Sequence, residues 1–176
     1  MKNIKTTLIL TLLLTSSSIF SQTKLKEYQA GKVFSVSIPD YLTKAVGYSE
    51  IATFQYENLD KGISGNIILD TKEEIKLKEA EYGASINDFY SAYTKEFNLD
   101  VEARSFSKAQ YKTIGEIKFA ESDFSYYDEE AKEEMYCLYG IVETQTSYFI
   151  VNSWCLAKDK AKYKSDFQKI LYSIKD

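Results

Sequence analysis

Residues 135–156 read MYCLYGIVETQTSYFIVNSWCL, two strand-forming runs at 135–142 and 148–156 joined by a polar stretch at 144–147. Tyr, Val, Ile and Trp on either side of a short polar turn predict a β-hairpin. With a loop at residues 145–147, Cys137, Tyr139 and Ile141 face Cys155, Ser153 and Val151 on one side. Leu138 and Val142 then face Trp154 and Ile150 on the other. Both sides are apolar, as expected of a sheet covered on two faces rather than one. A helix–sheet–helix sandwich follows.

The rest of the chain supplies the layers. Upstream, strands are expected at 101–111 and 117–127, with a turn at Gly115 and a charged hairpin tip at Asp128, Glu129 and Glu130. Ile86, Phe89, Tyr90, Tyr93 and Phe97 recur at helical spacing behind a Ser85–Asp88 capping pattern. Thr71 and Glu74 make a second capping box, although Ile75 and Leu77 alternate like a strand. Earlier strands are expected at 33–38, stopped by Pro39, and at 51–57 and 63–69. Asn58, Asp60, Lys61 and Gly62 supply the turn between the last two. A closing helix headed by Asp159 carries Tyr163, Phe167, Ile170, Leu171 and Ile174 on one face. Lys158, Lys160, Lys162, Lys164 and Lys169 occupy its solvent side. The fold class is α+β, with an antiparallel sheet flanked by helices.

Residues 1–22 stand apart. Lys2 and Lys5 precede an apolar run at 6–15, followed by Ser16, Ser17, Ser18 and a small residue, Ser21, at the exit. This is the three-part pattern of a secretory signal peptide. The run falls short of the roughly 20 residues that a membrane-spanning helix needs, so no membrane anchor is expected. Export to the periplasm or the extracellular space is the expectation, with residues 23–176 forming a single domain. About 154 residues suffice to bury one core without metal or many disulfides.

Charge and composition narrow the chemistry. Beyond the leader, 20 basic side chains stand against 26 acidic ones. This argues against nucleic acid, whose affinity comes mainly from basic groups on phosphates. The chain contains no histidine. Ser-His-Asp and Cys-His catalysis and histidine-ligated zinc are therefore excluded, as is the side chain best matched to proton transfer near neutral pH. Neither an enzymatic activity nor a cofactor is expected.

The order of elements is similar to a known fold. The opening Phe34-Ser35-Val36-Ser37-Ile38-Pro39, two further strands and a helix at 88–97 resemble the PsbP-like fold. A strand restarting after Ile114-Gly115, a long meander and an amphipathic C-terminal helix continue the resemblance. That fold occurs in an extrinsic photosystem II protein, a nuclear Ran-binding protein and many secreted bacterial proteins of unassigned role. Tyr41 stands where a tryptophan often follows the proline. The resemblance implies an α-β-α sandwich and no particular activity.

Three groups of residues are candidates for a site. Cys137 and Cys155, the only cysteines, face each other in the register above. Facing Cα atoms lie about 4.5–5.5 Å apart, within disulfide range. An oxidising compartment would then allow a bond contributing roughly 3 kcal/mol. The other reading is two buried thiols packed as small apolar groups. Tyr126, Tyr127, Tyr136, Tyr139 and Trp154 lie on adjacent meander strands and could form a patch that stacks on sugars or peptides. Against that, aromatic residues fill two-faced sheets. Asp123, Asp128, Glu129, Glu130, Glu133 and Glu134 match no calcium loop and read as a solvated tip, so no metal is expected. Arg104, the only arginine, reads as half of a surface ion pair, or as an anchor for an acidic partner. The function expected is an exported, non-catalytic accessory module that presents a sheet face or hairpin edge to a protein partner. A small-ligand or glycan-binding protein is the alternative.

Overall fold

The computed structural model describes residues 23–31, 33–77, 85–97 and 104–176; the leader at 1–22 lies outside the described residues. At its centre the hairpin of residues 135–156 forms as strands β9 (Glu133–Glu143) and β10 (Ser147–Leu156). The Thr144 amide donates to the Ser147 carbonyl at 3.0 Å. In return the Ser147 amide donates to the Thr144 hydroxyl at 3.1 Å. The side chain thus stands in for a backbone acceptor, and a two-residue loop, Gln145 and Thr146, closes the hairpin. The expected loop was three residues long, and the shorter one shifts the register by one. Trp154 lies opposite Cys137, and Cys155 lies opposite Tyr136. Because side chains alternate across a strand, that shift sends the two cysteines to opposite faces.

Around this hairpin an eight-stranded sheet is assembled, entirely through antiparallel pairs. Its further strands are β3 (Thr43–Ala45), β4 (Phe54–Asn58), β5 (Ile63–Thr71), β6 (Ser105–Phe106), β7 (Gln110–Ile114) and β8 (Ile117–Asp128). The spatial order is β3-β4-β5-β10-β9-β8-β6, with β7 also paired to β8. The strand expected at 101–111 is thus two pieces lying along successive parts of β8; residues 101–103 lie outside the described residues. Asn58 caps the turn before β5, accepting from the Lys61 amide at 3.0 Å, and Gly62 ends it at φ 60°. A side chain rarely tolerates that left-handed conformation.

A two-stranded ribbon lies off this sheet. Strand β1 (Leu25–Ala30) pairs with β2 (Phe34–Pro39). Four of the six β1 residues are exposed, so its sequence carries little apolar alternation to announce it. Pro39 is the last residue of β2 and pairs with Leu25, where a ribbon end tolerates a missing donor. On its other side β2 is clamped by the C-terminal segment: Ser35 and Lys175 exchange backbone bonds of 2.8 and 3.1 Å. The Ser37 amide donates to the Ser173 hydroxyl at 2.8 Å.

Among the described residues three helices complete the layers: α1 (Lys72–Leu77), α2 (Ile86–Glu96) and α3 (Lys160–Leu171). Both expected caps form, and at Thr71 the Glu74 carboxylate also reaches back to the Thr71 amide, closing the box. The Thr71 hydroxyl accepts from the Glu74 amide at 3.1 Å, and the Ser85 hydroxyl accepts from the Asp88 amide at 3.4 Å. Asp159 precedes α3 without capping it; a 3-10 turn, Ala157–Asp159, leads into the helix instead. The β1–β2 ribbon, α3 and the tail after it cover one face through Phe34, Val36, Ile38, Tyr163, Phe167, Ile170, Leu171 and, in the tail, Ile174. Helices α1 and α2 cover the other through Ile75, Ile86, Phe89 and Tyr90. The sandwich expected from two apolar strand faces is present, with a β-ribbon sharing one outer layer.

Two glycines let large side chains close on the sheet. The Tyr56 ring lies across its partner Gly65, where a Cβ would come within 2.2 Å of the ring carbon Cζ. That ring is fully buried and its hydroxyl is held by Ser153 at 2.5 Å, so it has nowhere to go. At Gly140 an added Cβ would meet Leu171 Cδ1 at 2.5 Å, the movable end of a flexible chain. Urea denaturation should therefore show Gly65→Ala losing about 1–3 kcal/mol, and Gly140→Ala losing less.

Candidate binding surface at the sheet edge

The register divides the five aromatic candidates between two faces. Tyr139 and Trp154 turn toward α2. Tyr139 is fully buried, and Trp154 stacks on Phe97 with ring centroids 6.4 Å apart. Tyr126 shares that face and stacks on Phe124 at 5.3 Å. Tyr136 lies on the opposite face, fully buried and stacked on Phe167 of α3 at 6.3 Å. Tyr127 follows it there by alternation. The five thus share no one surface. Among the described residues the Tyr139 hydroxyl and the facing Asn152 Oδ1 have no hydrogen-bond partner, while the Asn152 side-chain amide donates to Asn66 at 3.1 Å.

The cysteines are free, which corrects the expected disulfide. Cys137 packs on the α2 face and Cys155 on the α3 face, with the sheet between them. Burial pushes the Cys155 thiol up to about 12, helped by Asp159, and pushes Cys137 well above the usual thiol range. Both are held as neutral apolar filler.

Among the carboxylates, Asp123 is a structural clamp. Lys160 and Lys164 each reach it at 2.8 Å, and the Tyr136 hydroxyl donates to it at 2.8 Å. Partial burial raises its carboxyl, but the bonds from Lys160, Lys164 and Tyr136 outweigh that and hold it below the usual range. Two lysines expected to be solvated therefore pin α3 to β8. Asp128 caps the hairpin tip, accepting from the Glu130 and Ala131 amides at 3.0 and 2.9 Å. Glu129 pairs with Lys132 and Glu133 pairs with Lys158. Among the described residues no three Cys, Asp or Glu side chains come together as a metal site. Arg104, expected in an ion pair, donates instead to the Phe97 carbonyl at 2.7 Å, just past α2. Asp166 escaped the sequence reading. Nearly buried on α3, it accepts from Tyr41 at 2.8 Å and Thr23 at 3.1 Å, and pairs with Lys169 at 2.7 Å.

Val46, Ile51 and Leu59 are exposed singly in turns and loops, while an exposed strand edge is found at β7. All five of its residues are exposed, including Tyr111 at 50% and Ile114 at 45%. Gly115, at φ 60°, occupies the first central position of the two-residue turn to β8, where a II′ hairpin places glycine. In such a hairpin the flanking pair Ile114–Ile117 exchanges hydrogen bonds. By alternation Gln110 and Lys112 also face β8, while Tyr111 and Thr113 point their amides and carbonyls outward. This edge is what the sequence reading merged into a longer strand ending at Tyr111. The alternation Tyr111-Lys112-Thr113-Ile114 before a glycine turn is the signal that could have separated it.

No protein-family model matches this sequence, and neither does any curated protein. Solved structures do match in shape. The chain is similar to the cyanobacterial PsbP of Synechocystis, with a TM-score of 0.59 at 9% identity over 90% of this chain and 95% of that one. It is also similar to LpqN of Mycobacterium tuberculosis, a protein involved in cell envelope biogenesis. There the TM-score is 0.52 at 13% identity over 88% and 91% of the two chains. The fold is PsbP-like, an α+β sandwich on an antiparallel sheet.

The Asp123 clamp has a pH signature. Its carboxyl is lowered in the folded state, so its contribution is complete above the ordinary carboxylate value and is lost as pH falls through the folded one. Because the group is partly exposed, we expect Asp123→Asn to cost about 1 kcal/mol at neutral pH. Melts from pH 7 down to about pH 2 should show the gap between wild type and variant closing on acidification.

Proposed function

We propose that this chain is an exported, non-catalytic accessory module that holds a protein partner along strand β7. The observation that supports this most is a contrast. Both faces of the sheet are covered by helices and ribbon, while β7 leaves a row of backbone groups and five exposed side chains uncovered. Such a row of unpaired backbone groups is a ready template for pairing with another chain. The groups with chemical potential are already engaged: Asp123 by two lysines, Asp166 by Tyr41 and Lys169, both thiols by burial. The pattern of residues 1–22 supports export to the periplasm or beyond. No helix among the described residues is long and apolar enough to cross a membrane.

Affinity purification from a native envelope extract tests the reading. Wild-type protein should recover a stoichiometric protein partner, and Thr113→Pro should lose it. Proline at that outward-facing edge position blocks pairing without removing a bond to β8. An unchanged melting temperature would show that the variant is folded. A partner retained by Thr113→Pro, or a turnover abolished by a single carboxylate substitution, would overturn the proposal.

A further inference from the structure

We infer that the β7 edge takes an extended, acidic polypeptide segment, which adds to the sheet as an antiparallel strand beside β7. This rests on the edge reading above and adds the chemistry of the partner. The chain as a whole is acidic, with a net charge of −4. Between residues 104 and 118 the balance reverses, with Arg104, Lys108, Lys112 and Lys118 against Glu116 alone. Arg104 is committed to the Phe97 carbonyl, and Lys118 reaches Glu143 at 3.3 Å. Glu116 is held by the Gln145 side-chain amide at 2.7 Å. Lys108 and Lys112 have no carboxylate partner among the described residues, and both are exposed.

Lys112 is also oriented. Its ammonium stands 4.4 Å over the Tyr172 ring, whose hydroxyl donates to Glu121 at 2.9 Å. A cation resting on a ring that is itself hydrogen-bonded loses less freedom on meeting an anion than a free lysine does. Alternation puts Gln110, Lys112 and Ile114 on one face of the edge and Tyr111 and Thr113 on the other. An added strand would run about 4.8 Å away and lie beside some 17 Å of β7. Its backbone would pair with the outward groups of Tyr111 and Thr113. Carboxylates at alternate positions would meet Lys112 and reach toward Lys108, while the residues between them would lie against Tyr111. Main-chain bonds supply affinity and the alternate side chains supply selectivity, as in other strand-addition complexes.

Fluorescence anisotropy with defined peptides tests this. The probes are a labelled decapeptide alternating glutamate and threonine, its lysine–threonine counterpart, and the acidic peptide N-methylated at alternate residues. The acidic peptide should bind about tenfold or more tightly than the basic one. Its affinity should fall several-fold between about 0.05 and about 0.3 M NaCl. The double variant Lys108→Glu/Lys112→Glu should weaken it about tenfold. N-methylation and Thr113→Pro should abolish it, the former with the protein untouched. Equal binding of the basic peptide, or indifference to the lysine substitutions, overturns the acidic partner but leaves edge pairing standing. Indifference to both N-methylation and Thr113→Pro, or no binding at all, overturns the inference and counts against edge pairing too.

Discussion

The rest of the structure depends on how Thr144 closes the central hairpin. Its amide and hydroxyl together hold both polar backbone groups of Ser147, which fixes a two-residue loop. That loop sets which residue of β9 meets which residue of β10, and a sheet buried on two faces has no slack in that choice. From it follow Tyr136, Leu138 and Val142 under α3, and Cys137, Tyr139 and Ile141 under α2. The C-terminus reinforces the same corner. The Thr144 and Thr146 hydroxyls donate to the Asp176 carboxylate at 2.5 and 2.7 Å. The tail that carries it also bonds to β2, so hairpin, ribbon and α3 meet at one place.

Much of this was legible because periodicity reports burial. The face of α2 carrying Ile86, Phe89 and Tyr90 and the face of α3 carrying Tyr163, Phe167 and Ile170 are the buried ones. Both helix caps form because a hydroxyl three residues before a carboxylate satisfies amides that any helix start leaves open. The register was not legible. A threonine side chain replacing a backbone acceptor shortens the loop by one residue, and composition is blind to that. The disulfide expectation failed for this reason alone. Strand β1 was missed because Lys26, Glu27 and Gln29 face solvent, leaving no alternation to read. Arg104 and Asp166 act through a carbonyl and a distant tyrosine that only the folded chain brings near.

The same packing explains where binding can occur. Aromatic residues that look like a ligand platform in sequence are mostly committed to the two interfaces, where each contributes roughly 1.5–3 kcal/mol by leaving water. The border of the sheet is among the surfaces that remain. One border is the three-residue β3, too short to pair extensively; the other is β6 and β7, with Lys112 resting on Tyr172. Exposed backbone, exposed Tyr111 and Ile114, and a local excess of positive charge coincide there. The functional reading therefore follows from what the core leaves over.

The pairing of β9 with β10 is the claim on which all of this rests, and one NMR observation addresses it. Thr144 and Ser147 form a hydrogen-bonded pair, so by alternation Cys137 and Trp154 form a non-bonded pair, whose Cα atoms approach to about 4.5 Å. A nuclear Overhauser spectrum should then show a strong Hα–Hα cross-peak between Cys137 and Trp154. A cross-peak joining Cys137 to Cys155 instead would contradict the register, and with it the division of the core between the two outer layers.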